Sequence, residues 1–179
     1  MSGHWVLVCG ASGAGKDSVM AWAAAHLADQ PRIVFARRMV TREPHPGSDH
    51  DAVTAQEFDD LLAADALAWH WRAHGFGYGI AARYAAQGAA GGVVVVNGSR
   101  EHAAAVSPAQ GVRVVNIIAT PEQLERRMAQ RGRDAPQDIS KRLQRNTRFA
   151  KLRADRTILN QHALPQAGLE LAEYLLSIW

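Results

Sequence analysis

The stretch Gly10-Ala11-Ser12-Gly13-Ala14-Gly15-Lys16-Asp17-Ser18 has the spacing of a phosphate-binding loop, G-x-x-x-x-G-K. An aspartate stands where a hydroxyl residue normally follows the lysine, and the serine comes one place late. Backbone N–H groups from Gly13 to Lys16 are expected to cradle a β-phosphate at a helix N-terminus. Lys16 would neutralise charge shared by the β- and γ-phosphates. Such a loop predicts binding of ATP or GTP together with magnesium. Asp17 and Ser18 are the candidate metal-facing residues, because magnesium takes oxygen ligands and one or two carboxylates. The plainer role for Asp17 is a helix cap, where a carboxylate is favourable by about 0.3–1 kcal/mol.

Further candidates fall at positions where open parallel sheets bind ligands, beyond the carboxyl ends of the strands. Thr41-Arg42 comes shortly after a second β-branched run, and Asn97-Gly98-Ser99-Arg100 directly follows four valines. A polar tetrapeptide with glycine is also a common strand-to-helix turn. Its place beside the phosphate loop points to substrate contact through Asn97, Ser99 and Arg100. Arg131, Arg133 and Arg142 occupy a polar stretch between two helical patterns and the helix after it. Mobile arginines there could close over a transferring phosphoryl group and stabilise its spreading charge.

Between Trp69 and Gly79, His70 and His74 are four apart, but the glycines that follow argue against a helix and no third metal ligand is suitably spaced. A strand and turn facing substrate fits better, with His74 or Tyr78 on the ligand. Asp49-His50-Asp51 reads as a solvated loop rather than a metal site.

These residues need a scaffold. β-branched runs at Trp5–Cys9, Arg32–Ala36, Gly92–Val96, Val112–Ile118 and Thr157–Leu159 alternate with helical patterns, which predicts a parallel sheet covered by helices. Asn160, just past the last run, joins the nucleotide-binding set. Thr120-Pro121-Glu122-Gln123 supplies an N-cap, a first-turn proline and a capping-box glutamine for a helix ending near Gly132. Another helix is expected from Asp138, and a last one from about Pro165 to Trp179 with Leu169, Ala172, Leu176 and Trp179 on one face. Residues 40–79 look irregular apart from a helix over Ala55–Ala64. An insertion of about 40 residues in a compact domain is usually functional or disordered, and a substrate-binding flap is expected here.

The 179 residues suit one domain, and no apolar run approaches membrane-spanning length. No signal-peptide pattern is present, and a lone cysteine fits a reducing compartment, so a cytoplasmic protein is expected. Cys9 ends an apolar run, where a buried, inert thiol is expected. Net charge is +3, and all the basic residues except Lys16, Lys141 and Lys151 are arginine. The arginines are scattered, with no basic run interleaved with aromatics, which speaks against nucleic-acid binding. A homodimer is compatible with the sequence.

Thr41-Arg42-x-Pro44, Pro46-Gly47, Gly75-x-x-Tyr78-Gly79, Arg131-Gly132-Arg133 and Ile139-x-x-Arg142-Leu143 together resemble the guanylate kinase family of nucleoside-monophosphate kinases. That resemblance covers nearly the whole chain. It implies a P-loop kinase three-layer αβα fold with central parallel sheet, flap at about 40–79 and short lid at about 131–138. It also implies an acceptor-phosphate role for Arg42 and lid roles for Arg131, Arg133 and Arg142. The departures concern the base. Trp69 stands where guanylate kinases carry a guanine-reading glutamate, His45 replaces their second phosphate-binding arginine, and Asn97 replaces an aspartate. The tyrosine beyond that arginine has no counterpart in the shortened Asp49–Ala52 loop. A base buried without a carboxylate partner would lose several kcal/mol of discrimination.

The chain therefore resembles more closely the ribose 1,5-bisphosphate phosphokinases of phosphonate catabolism, on Gly15-Lys16-Asp17-Ser18, His74-Gly75-x-x-Tyr78-Gly79, Val96-Asn97-Gly98-Ser99-Arg100 and the Arg131-Gly132-Arg133 lid. The resemblance implies phosphoryl transfer from ATP to ribose 1,5-bisphosphate, giving 5-phosphoribosyl 1-diphosphate and ADP. The alternatives are a guanylate kinase, another small-metabolite kinase, or a guanylate-kinase-like binding module without catalysis. The intact lysine-bearing loop opposes the last.

Overall fold

The computed structural model describes residues 4–44, 49–73, 75–105, 111–130 and 152–178. The first strand, β1 (His4–Gly10), feeds the phosphate loop and helix α1 (Lys16–His26). It sits at the centre of a five-stranded sheet with β2 (Ile33–Ala36), β7 (Val93–Asn97), β8 (Val112–Ile118) and β9 (Arg156–Leu159). The spatial order is β2-β7-β1-β8-β9, and every pairing is parallel. All five expected runs are strands, with ends shifted by a residue or so.

Strand alternation splits the core in two. Val6 and Val8 of β1, with Val93 and Val95 of β7, face α1 and the last helix α6 (Leu164–Leu176). Trp5, Leu7 and Cys9, with Val94 and Val96, face the other way, toward α3 (Arg83–Ala89) and α4 (Arg100–Ala105). A strand buried on both faces has no polar side to show, which is why the valine run is uninterrupted. Helix α5 (Pro121–Gln130) packs Leu124 and Met128 into the first layer. Its start carries the expected capping box, with Thr120 and Gln123 exchanging bonds at 3.4 Å.

Two expectations need correction. The buried stripe of α6 is Ala167, Gly168, Leu171, Ala172 and Leu175, while Leu169 and Leu176 are 42 % and 39 % exposed. Leucines recur on both faces of this helix, so spacing alone could not choose. Gly168 settles it, because a Cβ there would meet the Trp22 ring of α1 at 2.3 Å.

The second correction concerns residues 40–79, which are largely regular. Strands β3 (Arg38–Val40), β4 (His50–Ala52), β5 (Leu67–Ala73) and β6 (Phe76–Ala81) form a second sheet, ordered β4-β3-β6-β5. Helix α2 (Ala55–Ala63) covers its outer face, capped by Thr54 and Glu57 at 3.1 and 2.7 Å. Phe58 of α2 lies so close to β6 that a Cβ on Gly77 would meet its ring at 2.8 Å. Glycine at Gly77 therefore serves packing inside a strand. The helix expected from Asp138 and the lid at 131–138 lie outside the described residues. No helix among the described residues is long and apolar enough to cross a membrane.

Candidate active site

The phosphate loop is braced on its carbonyl side. Asn160, buried just after β9, donates from Nδ2 to the Ala14 carbonyl at 2.8 Å. Arg127 of α5 reaches the same carbonyl at 3.2 Å through Nη1 and the Asn160 carbonyl at 3.1 Å through Nη2. Gly15, at φ 80°, leaves room for this, since a Cβ would lie 2.5 Å from Asn160 Nδ2. A Cβ on Gly10 would likewise sit 2.5 Å from the Ile117 carbonyl. Asn160, expected at the nucleotide, thus holds the loop that would bind it. Of the N–H groups expected to cradle a phosphate, that of Ala14 closes a turn on Ala11 at 3.1 Å.

Lys16, Asp17 and Asn97 meet at the mouth of this loop. Lys16 Nζ donates to Asp17 Oδ1 at 2.8 Å and makes a very short contact to Asn97 Oδ1. Asn97 Nδ2 donates to Asp17 Oδ1 at 2.7 Å. Burial pushes the Lys16 ammonium below its ordinary value, with Asp17 pulling it back up. Burial also works against the Asp17 charge, but Lys16 and the Asn97 amide outweigh it and hold the carboxyl below its usual range. Among the described residues no group of three or more His, Cys, Asp or Glu could hold a metal ion. The Asp17 carboxylate beside the Asn97 amide still suits magnesium, which takes one or two carboxylates and otherwise phosphate and water. Ser18, the other candidate, is exposed on the first turn of α1.

The remainder of the Asn97–Arg100 group divides. Ser99 Oγ accepts the His102 N–H at 3.0 Å, which is the turn-and-cap role weighed against substrate contact. A Cβ on Gly98 would strike Leu7 at 2.3 Å, so this turn lies tight on the sheet. Burial pushes the Cys9 thiol up to about 11, although the charges of Lys16 and Arg100 favour its thiolate. The thiol is therefore inert, as its position in the strand implied.

The inner face of the second sheet looks toward these groups. Strand register puts Trp69 opposite Ile80, Trp71 opposite Tyr78, Arg38 opposite Ile80 and Val40 opposite Tyr78. Trp69, Trp71 and Ile80 pack with Trp5 and Leu7 of β1, which sets the face inward. His70 alternates onto the opposite face with Gly79, beside Gly77 and Phe58. Trp69 contacts Trp5, Trp71 and His102 with ring centroids 5.8, 6.5 and 4.6 Å apart. Trp71 stacks on Tyr78 at 5.2 Å. Burial in this cluster lowers His102 to about 4, so it is neutral at physiological pH.

Arg42 stands at the end of this face. Thr41 ties it down by two bonds to Gly77, at 2.8 and 3.0 Å, and His50 Nε2 donates to the Arg42 carbonyl at 2.9 Å. His50 is 2 % exposed and begins strand β4, so Asp49–Asp51 is not the solvated loop expected. Its two carboxylates instead clasp Arg37. Arg42 lies 5.5 Å over the Phe76 ring, with a buried Nε that has no hydrogen-bond partner among the described residues. Arg38 and Arg127 were not legible as site residues, although period-two spacing of Arg38, Val40 and Arg42 was a usable signal for the first. Arg131, Arg133, Arg142, His74 and His45 lie outside the described residues.

No family model matches the chain. It is 41% identical over 173 residues to "Ribose 1,5-bisphosphate phosphokinase PhnN" of Agrobacterium fabrum, covering 95% of this chain and 94% of that protein. It is 43% identical over 176 residues to the protein of the same name in Methylobacterium radiotolerans, covering 98% of each. A guanylate kinase from Anaplasma phagocytophilum superposes with a TM-score of 0.66, covering 98% of this chain and 86% of that one. At 16% identity that likeness shows a guanylate kinase-like fold and nothing finer.

Proposed function

Since the chain belongs to the ribose 1,5-bisphosphate phosphokinase family, we propose that it transfers the γ-phosphoryl group of ATP to ribose 1,5-bisphosphate. An oxygen of the acceptor's 1-phosphate forms the new bond to the γ-phosphorus. The bond from that phosphorus to the bridging oxygen of ADP breaks, and the products are 5-phosphoribosyl 1-diphosphate and ADP. The reaction would serve phosphonate catabolism in the cytoplasm.

The observation that carries the reading is the fate of the base-reading position. Trp69 occupies it, packed among Trp5, Trp71 and His102, and it offers no carboxylate to a base. The phosphate-binding groups persist around it. Lys16, made costly by burial, gains compensation when the β- and γ-phosphates arrive. Arg42 presents a planar fork, fixed from behind by Thr41 and His50, to the acceptor's phosphate. Tyr78 lines the same face, and Arg131, Arg133 and Arg142 are assigned to the lid on their motif alone. Asp17, with Asn97 beside it, would hold magnesium, which supplies charge neutralisation on the transferred group when bound.

Steady-state turnover of ATP with ribose 1,5-bisphosphate and with GMP tests the proposal. The bisphosphate should have by far the larger kcat/KM. Comparable values for the two acceptors would overturn the assignment, and no turnover with any acceptor would favour a binding module.

A further inference from the structure

Arg37 and Arg38 are sequence neighbours with opposite surroundings. Arg37 is half-exposed and clasped by Asp49 and Asp51. Arg38 alternates onto the inner face of the second sheet, opposite Ile80 and on the same face as Tyr78 and Trp71. Its guanidinium lies 6.0 Å from the Tyr78 ring, and its Nε is buried without a hydrogen-bond partner among the described residues. Burial lowers its pKa, with Asp17, Tyr78 and Asp49 acting in its favour and Arg42 against it. Asp17 is already engaged through Oδ1 by Lys16 and Asn97.

A buried guanidinium with an unmet N–H is costly unless an anion completes it. Arg42, on the same face, has the same defect. The two backbones are at most roughly 13 Å apart, four residues of extended chain. Two forks held this way, repelling each other, suit a small molecule with a phosphate at either end better than one with a single phosphate. A bidentate fork also matches phosphate geometry.

We propose that Arg38 is the specificity-determining residue that binds the acceptor's non-reacting phosphate, while Arg42 holds the reacting one. This rests on the function proposed above. It assigns the second phosphate, rather than the sugar hydroxyls, as the feature that replaces a base in recognition.

The test compares Arg38→Met and Arg42→Met with the unsubstituted protein. Three probes are used: turnover of ribose 1,5-bisphosphate, turnover of ribose 1-phosphate, and calorimetric titration with ribose 5-phosphate. Arg38→Met should raise KM for the bisphosphate about 30-fold or more with kcat nearly unchanged, because a charge-assisted contact made equally in ground and transition states is lost. It should leave kcat/KM for ribose 1-phosphate unchanged and abolish ribose 5-phosphate binding. Arg42→Met should weaken both turnover substrates and spare ribose 5-phosphate binding. Arg38→Met should also leave the melting temperature of the ligand-free protein equal or higher, since it removes a desolvated cation whose Nε is buried without a partner among the described residues, whereas a structural arginine would lower it.

Equal losses for the two turnover substrates in Arg38→Met, or undiminished ribose 5-phosphate binding, would overturn the proposal. So would an unsubstituted protein that does not bind ribose 5-phosphate. If that protein bound ribose 5-phosphate through Arg38 but turned over no bisphosphate, the proposed function would fall and the Arg38 site would stand.

Discussion

Asp17→Asn changes the charge beside the phosphate loop while keeping its shape. A carboxylate acting on a divalent ion through one water, at about 4 Å, contributes about 2 kcal/mol even at the dielectric constant of water. Asp17 is 49% exposed, so this lower end of the range applies, and it corresponds to about a 30-fold change in affinity. Half-saturating magnesium, measured at fixed ATP by coupled ADP release, should therefore rise about 30-fold in Asp17→Asn. The bond network allows a sharper control. Asn97 Nδ2 lies 2.7 Å from Asp17 Oδ1, so the double variant Asp17→Asn with Asn97→Asp returns the carboxylate to the facing side of the same pair. Its magnesium requirement should return close to that of the unsubstituted protein. Asn97→Asp alone sets two carboxylates side by side, which raises one pKa and should make activity increase with pH across the acid range. An unchanged magnesium requirement in Asp17→Asn would refute the reasoning and leave Asp17 to its bonds with Lys16 and Asn97, since the N-cap of α1 is Gly15 and no side chain caps it.

Two other outcomes follow from burial. Cys9 is protonated and buried, with its pKa raised from 9.0 to about 11, so its contribution is complete below pH 9 and is lost as pH rises toward 11. Urea unfolding should show a stability loss of about 2–3 kcal/mol over that window that is missing from Cys9→Ala; parallel slopes would contradict the buried thiol. Trp69→Glu introduces the residue type that the guanylate kinase resemblance assigns to guanine reading, but it breaks the contacts with Trp5, Trp71 and His102. It should cost about 3 kcal/mol in thermal unfolding and confer no GMP turnover, and substantial GMP turnover would sink the view that this position is packing.

The parallel sheet was legible because its signals are local. Buried strands read as unbroken β-branched runs, and the phosphate loop carries its own spacing. The second sheet was not, because its periodicity is written in residues with other meanings. Gly77 and Gly79 look like strand breakers until Phe58 is laid over them, and His50 looks solvated until the Arg42 carbonyl is found beside it. The site was half legible. Lys16 and Asp17, neighbours on the loop, do meet Asn97 from the far end of β7. Asn160 and Arg127 converge on the Ala14 carbonyl from beyond β9 and from α5, a juxtaposition that depends on the order of β1, β8 and β9 and has no sequence signature.

The inner face of the second sheet shows how one phosphoryl-transfer apparatus can change its acceptor. Reading a base requires polar groups held open in a dry pocket, and each is a penalty when unpaired. On the function proposed above, the base-reading position is taken by Trp69, which packs against Trp5 and Trp71, so that end of the face carries no such penalty. The unmet polar demand lies instead at Arg38 and Arg42, whose buried Nε atoms lack partners among the described residues. Selectivity then comes from charge. An acceptor with one phosphate leaves one guanidinium unmatched, whereas an acceptor with two completes both, and the cost of holding them open becomes the preference for the bisphosphate.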